Sequence, residues 1–195
     1  MNIVLAGVGG QGTILTSAIL AAGLAKLGYD VKMSEIHGMS QRGGSVTTHI
    51  RYGDRVFSPN VGEGEADAVV AFEKAEAVRG LPYLRRGGAL IVDDREIWPL
   101  AVLTGAVQYP DTILDELRNA VENTLVLNAT EIAACLGNSR AQNMVMLGAL
   151  VAHLGLGEPG WKELIAGRVP PKAVGVNQSA FCRGYELALS HTTGV

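Results

Sequence analysis

Four glycines in Gly7-Val8-Gly9-Gly10-Gln11-Gly12 separate a short aliphatic run, residues 2–6, from an Ala/Leu-rich stretch, residues 13–27. An aliphatic run bounded by glycine reads as a buried parallel strand, and the stretch after it has helical spacing. The helix prediction places Ile14, Ala18, Ile19 and Ala22 on one face, with Gly28 closing it in the left-handed region. Residues 29–36 read as a second strand, so the segment is a βαβ unit whose crossover should be right-handed. Glycines at such a junction permit a tight turn and let a ligand approach the backbone, while free N–H groups at the helix start attract an anion. Close strand–helix packing at a subunit contact asks for the same glycines, and the pattern alone leaves both readings open. Glu35 stands where a dinucleotide site wants its ribose-binding acid. The polar, glycine-rich run after it crowds the adenosine position, and nothing in the chain looks like a hydride acceptor.

That second run, Ser34-Glu35-Ile36-His37-Gly38-Met39-Ser40-Gln41-Arg42-Gly43-Gly44-Ser45-Val46, puts one arginine, several donors and three glycines between two strands. It is built to hold a phosphate or carboxylate, or it is a solvated arginine on a loop. Residues 45–52 alternate as a strand, and Gly53-Asp54 reads as a hairpin turn into a short strand at 55–57. Further strands are expected at 68–72, 89–92 and 124–127, a helix at 73–84, and a helix after 127 capped by Thr130. From residue 141 the pattern is helical only: 144–154, 161–166 and 173–189, punctuated by Pro159 and Pro170-Pro171. The fold expected is a single α/β domain over residues 1–195. Its architecture is a Rossmann-like three-layer sheet, mostly parallel with a hairpin, followed by C-terminal helices.

Composition removes several function classes. A net charge of −3 and pI near 5.8, with basic residues scattered, give no electrostatic reason for nucleic acid or an anionic membrane as partner. The N-terminus has no basic region before its apolar run, and the longest apolar segments, 17–25 and 144–156, are too short to span a bilayer. The expectation is a cytoplasmic protein. Two cysteines, Cys135 and Cys182, are expected as buried thiols, and two cannot supply the four ligands of a cubane cluster. His37, His49, His153 and His191 lack metal-ligand spacing, so His153 reads as a core or interface histidine and His37 as a neighbour of the Arg42 loop. No G-x-S-x-G elbow marks a hydrolase. Asp93-Asp94 and Glu96 follow a strand at the sheet's carboxyl edge, a ligand position in open α/β sheets and also an ordinary solvated loop. Asn143 reads as a cap or loop tie, and the acidic run at 63–67 as a solvated loop or a contact for a basic partner.

The glycine hexapeptide, the Glu35 to Val46 run, Gly62-Glu63-Gly64-Glu65-Ala66-Asp67 and Asn143-Met144-Val145-Met146-Leu147-Gly148 together carry a resemblance from about residue 2 to residue 188. The chain resembles the gamma subunit or domain of pyruvate/2-oxoacid ferredoxin oxidoreductases. Its second loop is nearest to the branch of small (beta) subunits of indolepyruvate ferredoxin oxidoreductase. The resemblance implies a complex that oxidatively decarboxylates a 2-oxoacid, an aryl pyruvate such as indolepyruvate by branch, to an acyl-CoA while reducing ferredoxin. It implies thiamine diphosphate, Mg²⁺, [4Fe-4S] clusters and coenzyme A in the complex, with none of the resident cofactors bound by this chain alone. Larger thiamine- and cluster-bearing subunits are the implied partners, and ferredoxin is reached through the complex. An exposed docking patch leaves the isolated chain open to homodimerisation. No residue is implied to be catalytic or metal-binding. Gly7, Gly9, Gly10, Gln11, Gly12, Thr13, His37, Ser40, Gln41, Arg42, Gly43 and Gly44 are implied to bind coenzyme A or another anion, or to dock a partner. The reading from the residues alone keeps an alternative, a free-standing Rossmann-like protein binding a nucleotide through Gly7 to Gly12.

Overall fold

The structure, a computed structural model, describes residues 1–38 and 44–192, excepting the side chains of His37 and Thr192. Six strands form one sheet: β1 (Asn2–Val8), β2 (Asp30–His37), β3 (Ser45–Gly53), β4 (Ala66–Ala71), β5 (Leu84–Asp93) and β6 (Thr124–Leu127). Their order across the sheet is β2-β3-β1-β4-β5-β6, and β3 alone runs against the others. The expected mostly parallel, three-layer α/β architecture is therefore what the chain adopts. In the parallel strands β1, β4 and β5 apolar side chains leave both faces. Val4, Val69, Ala71, Leu90 and Val92 enter one core, and Ile3, Leu5, Val70 and Ile91 the other. That is why these strands read as continuous aliphatic runs, as strands covered on both sides must.

One layer holds α2 (Lys74–Gly80) and α4 (Ile113–Ala120), with the short α3 (Leu100–Leu103) in the connection after β5; α5 (Ala129–Cys135), after β6, packs Ala129 and Ala133 into the opposite layer. The other holds α1 (Thr13–Lys26), α6 (Gln142–His153), α7 (Trp161–Ala166) and α8 (Val174–Thr192). Every residue of α6 from Gln142 to Ala152 is buried, because the helix lies between the sheet and α8. Gly28, at φ +94°, ends α1 as expected, with the Tyr29 N–H reaching back to the Leu24 carbonyl at 3.2 Å.

Four local expectations are corrected. No strand forms at 55–57. The antiparallel hairpin is β2–β3, paired from Asp30↔Gly53 to His37↔Val46, so the second glycine run connects it. Residues after Gly53 instead fold back on the start of β2, where the Asp30 carboxylate accepts the Val56 N–H at 2.9 Å and the Arg55 guanidinium lies over the Phe57 ring. Thr130 does not cap α5; the Asn128 carboxamide does, accepting the Glu131 N–H. Helix α1 buries Thr16, Ser17, Ile19, Leu20, Gly23 and Leu24, leaving Ile14 49% exposed. Gly23 decides that rotation: a Cβ there would stand 2.3 Å from the Trp161 ring, which packs onto the bare backbone. The cysteines are free, but Cys135 is exposed and Cys182 half-buried.

Candidate functional site

The turn between β1 and α1 is fastened from within. Gln11 is buried; its Oε1 accepts the Val8 N–H at 2.7 Å, and its Nε2 donates to the Phe72 carbonyl at 2.5 Å, bolting β1 to β4. A Cβ on Gly7 would meet Thr13 Cγ2 at 2.7 Å, and one on Gly12 the Asn143 amide at 2.5 Å. Gly7, Gln11 and Thr13 are buried and serve this packing, whereas Gly10 is exposed and Gly9 and Gly12 half-buried. The Gly9 N–H donates to the Gly44 carbonyl at 2.9 Å, so the two glycine runs meet at one end of the sheet. Ser40, Gln41, Arg42 and Gly43 lie outside the described residues, as does the His37 side chain. Gly12→Ala combines a strained positive φ of +81° with the Asn143 clash. It should lower stability by about 1–3 kcal/mol in a urea melt.

Beside this turn opens a cleft of about 750 Å³, walled by Gly10, Gly12 and Leu15 of the α1 start and by Arg95, Asn138, Arg140, Gln142, Asn143, Lys172 and Asn177. Its three cations come from different segments, and none belongs to an ion pair among the described residues. The cleft has no carboxylate in its described lining, and no side chain caps α1. An uncapped helix start directs N–H groups and a positive dipole end outward, so the cleft is electropositive and suited to a phosphate-bearing ligand. The asparagines are engaged within the wall: Asn143 donates to the Gly12 carbonyl, Asn177 to the Ala173 carbonyl, and Asn138 accepts the Arg140 N–H. Arg95 Nη1 donates to Gln142 Oε1 at 2.5 Å, which aims its guanidinium along the cleft wall. Sequence reasoning missed Arg95, Arg140 and Lys172. Only the place of Arg95, just past the carboxyl end of β5, pointed toward a ligand position.

Of the other acidic and imidazole groups, Glu73, Asp94, Glu96, Asp67, Glu65 and His49 have structural partners. Glu73, buried at the end of β4, accepts from the Tyr109 hydroxyl and the Ile97 N–H and caps α2 through the Glu76 N–H. Tyr109 is held far above the ordinary phenol range by burial and by that carboxylate. Asp94 and Glu96 pair with Lys74 at 2.7 and 3.0 Å. Asp67 binds Arg85 and the Asn2 N–H, and Glu65 the Gly62 N–H, so the acidic run folds on itself. His49 is buried, accepts the Val61 N–H and lies edge-on to Tyr83; burial lowers its pKa, as it does for half-buried His153. Among the described residues no group of three His, Cys, Asp or Glu could hold a metal ion, and two cysteines on separate helices do not fit a cubane cluster. Nor is any described helix long and apolar enough to cross a membrane.

Fold and site together define a three-layer α/β domain with a glycine turn at the head of its first helix and a basic cleft beside it. A family model for pyruvate ferredoxin/flavodoxin oxidoreductase matches residues 2–187. Indolepyruvate oxidoreductase subunit IorB of Pyrococcus horikoshii is 41% identical over 194 residues, covering 96% of this chain and 95% of that protein. 2-Oxoglutarate synthase subunit KorC of Methanothermobacter thermautotrophicus is 32% identical, covering 96% and 95%. The keto/oxoacid ferredoxin oxidoreductase gamma subunit of Geobacter sulfurreducens superposes with a TM-score of 0.71 at 27% identity, over 97% of this chain and 98% of that one. The chain belongs to the pyruvate ferredoxin/flavodoxin oxidoreductase family, as a small, gamma-type subunit. A free-standing nucleotide-binding protein is not the reading these relatives favour.

Proposed function

We propose that this subunit supplies the coenzyme A side of a cytoplasmic 2-oxoacid:ferredoxin oxidoreductase and docks onto larger subunits that carry thiamine diphosphate and the iron–sulfur clusters. The observation that carries it is the cleft: an uncapped helix start and three cations with no ion pair among the described residues face one cavity, a match to the phosphates of coenzyme A. Exposed Gly10 and half-buried Gly9, whose N–H meets the Gly44 carbonyl of the second run, extend the same surface. Two relatives 41 and 40% identical over 96% of the chain are indolepyruvate oxidoreductase subunits, which favours an aryl pyruvate as the 2-oxoacid. Docking is supported by Trp98, Leu100, Leu103 and Val107, which are 52, 76, 66 and 53% exposed. The segment bearing them is tied to the body through Ile97 and Tyr109 on buried Glu73. Exposed apolar residues on a firmly anchored strap are characteristic of a subunit contact.

Co-expression with the larger subunit should yield a brown, iron-containing complex that reduces ferredoxin with an aryl pyruvate and coenzyme A. Tight NAD or FAD binding and turnover by the chain alone would replace this reading with a free-standing one. Leu100→Glu combined with Leu103→Glu should prevent co-purification, lowering affinity by about a hundredfold, while the melting temperature of the free subunit stays unchanged.

A further inference from the structure

Behind the wall of the cleft, three side chains form a chain of contacts from a buried carboxyl to Arg95. Asp93 is fully buried at the end of β5; its Oδ1 accepts the Ala129 N–H at 2.9 Å, and its Oδ2 stands 3.2 Å from the Thr130 hydroxyl. That hydroxyl is 2.5 Å from Gln142 Oε1, the same oxygen that takes Arg95 Nη1 at 2.5 Å. The proton count constrains the set. A guanidinium only donates, so the oxygen of the Gln142 amide must face Arg95. Thr130 must then donate to that oxygen too, and a hydroxyl has a single proton. The Thr130–Asp93 contact is filled at the same time only if Asp93 is protonated and donates. An ionised Asp93 only accepts, competes with Gln142 for the Thr130 proton, and places a negative charge behind Arg95.

We propose that Asp93, Thr130 and Gln142 are positioning residues for Arg95, so that the cleft's hold on an anion depends on whether Asp93 carries a proton. The inference rests on the cleft being the anion site. Burial pushes the Asp93 carboxyl up to about 6 against the opposing pull of the Ala129 N–H, Thr130 and Arg95, which brings the change into the working pH range. Few other charges face it. Asp94 is turned to Lys74 on α2, and Glu131 on α5 to Asn128; α6 presents only the neutral Gln142. Arg140 and Lys172 line the cleft with Arg95 and are the other cationic side chains of its described lining. The sign follows. Stability from protonated Asp93 is fully present below the ordinary carboxyl value of 3.8 and is lost as pH rises through about 6. Anion affinity falls over the same rise.

The test is calorimetric titration of the full chain with dephospho-coenzyme A, which lacks the monoester phosphate that titrates at about pH 6. Affinity should fall about threefold to tenfold between about pH 5 and about pH 7.5, tenfold corresponding to a displacement of about one pKa unit on binding. Asp93→Asn keeps an acceptor for Ala129 and a donor for Thr130. It should bind at the high, low-pH level across the range and melt no lower than the parent at pH 7.5. Binding without a pH slope in the parent, or an undiminished slope in Asp93→Asn, overturns the proposal and leaves the cleft reading standing. No binding at any pH removes the cleft reading and the proposal with it.

Discussion

Gly148→Ala and Gly184→Ala are each expected to leave little folded protein at 37 °C, losing about 3–5 kcal/mol in a chemical denaturation. A Cβ on Gly148 would stand 2.0 Å from the Phe181 carbonyl oxygen, and one on Gly184 1.9 Å from that of Val145. The clashing atoms are backbone, so no rotamer change relieves them; α6 and α8 would have to separate. Helix α6 cannot retreat, because it is buried against the sheet along its length. Stability of a domain this size is of the order of 5–15 kcal/mol, so one added methyl group removes a large share of it. Gly175→Ala is the internal control. It sits in the first turn of the same α8 with nothing within 4 Å, and it should be neutral or slightly stabilising. The contact has a functional consequence, since α6 brings Gln142 and Asn143 to the cleft and α8 brings Asn177.

Removing the three cleft cations should have the largest effect on activity. Arg95→Gln is expected to raise the KM for coenzyme A in the assembled enzyme about tenfold, the worth of one well-held charged hydrogen bond. Arg140 and Lys172 are exposed, and each alone should contribute about twofold to fivefold after solvent screening. The triple variant should lose about a hundredfold or more, with a shallower salt dependence, while the KM for the 2-oxoacid is unchanged. Equal rises in both KM values would assign the cations to general architecture.

How much of this was legible beforehand follows from what is local. The boundaries of β6 and α7 could be read directly, because Pro159-Gly160 and Gly167 bracket α7 and Asn123 and Asn128 bracket β6. The insertion of β3 between β1 and β2 could not: strand order is set by which edge a returning chain reaches, and no side-chain period records it. Gly53-Asp54 had the composition of a hairpin turn, but Asp30 claimed the backbone beyond it. Helix α4 went unnoticed although Ile113 and Leu117 lie four residues apart with Asp115, Glu116 and Arg118 between and beside them, a narrow apolar stripe on a short charged helix. At the site, the glycine pattern marked the right end of the sheet. It could not separate Gly7 and Gly12, fixed by Thr13 and Asn143, from exposed Gly10. The cations escaped because residues 95, 140 and 172 meet only when α6 and α8 are packed.

Hydrogen–deuterium exchange of the assembled enzyme, with and without saturating coenzyme A, tests the central claim most directly. Backbone amides at residues 10–15 and 138–143 should slow markedly when the coenzyme is added, as N–H groups at the helix start and the Arg140 turn are covered. Saturation with coenzyme A that leaves both segments unchanged, with protection confined to the larger subunits, would contradict it.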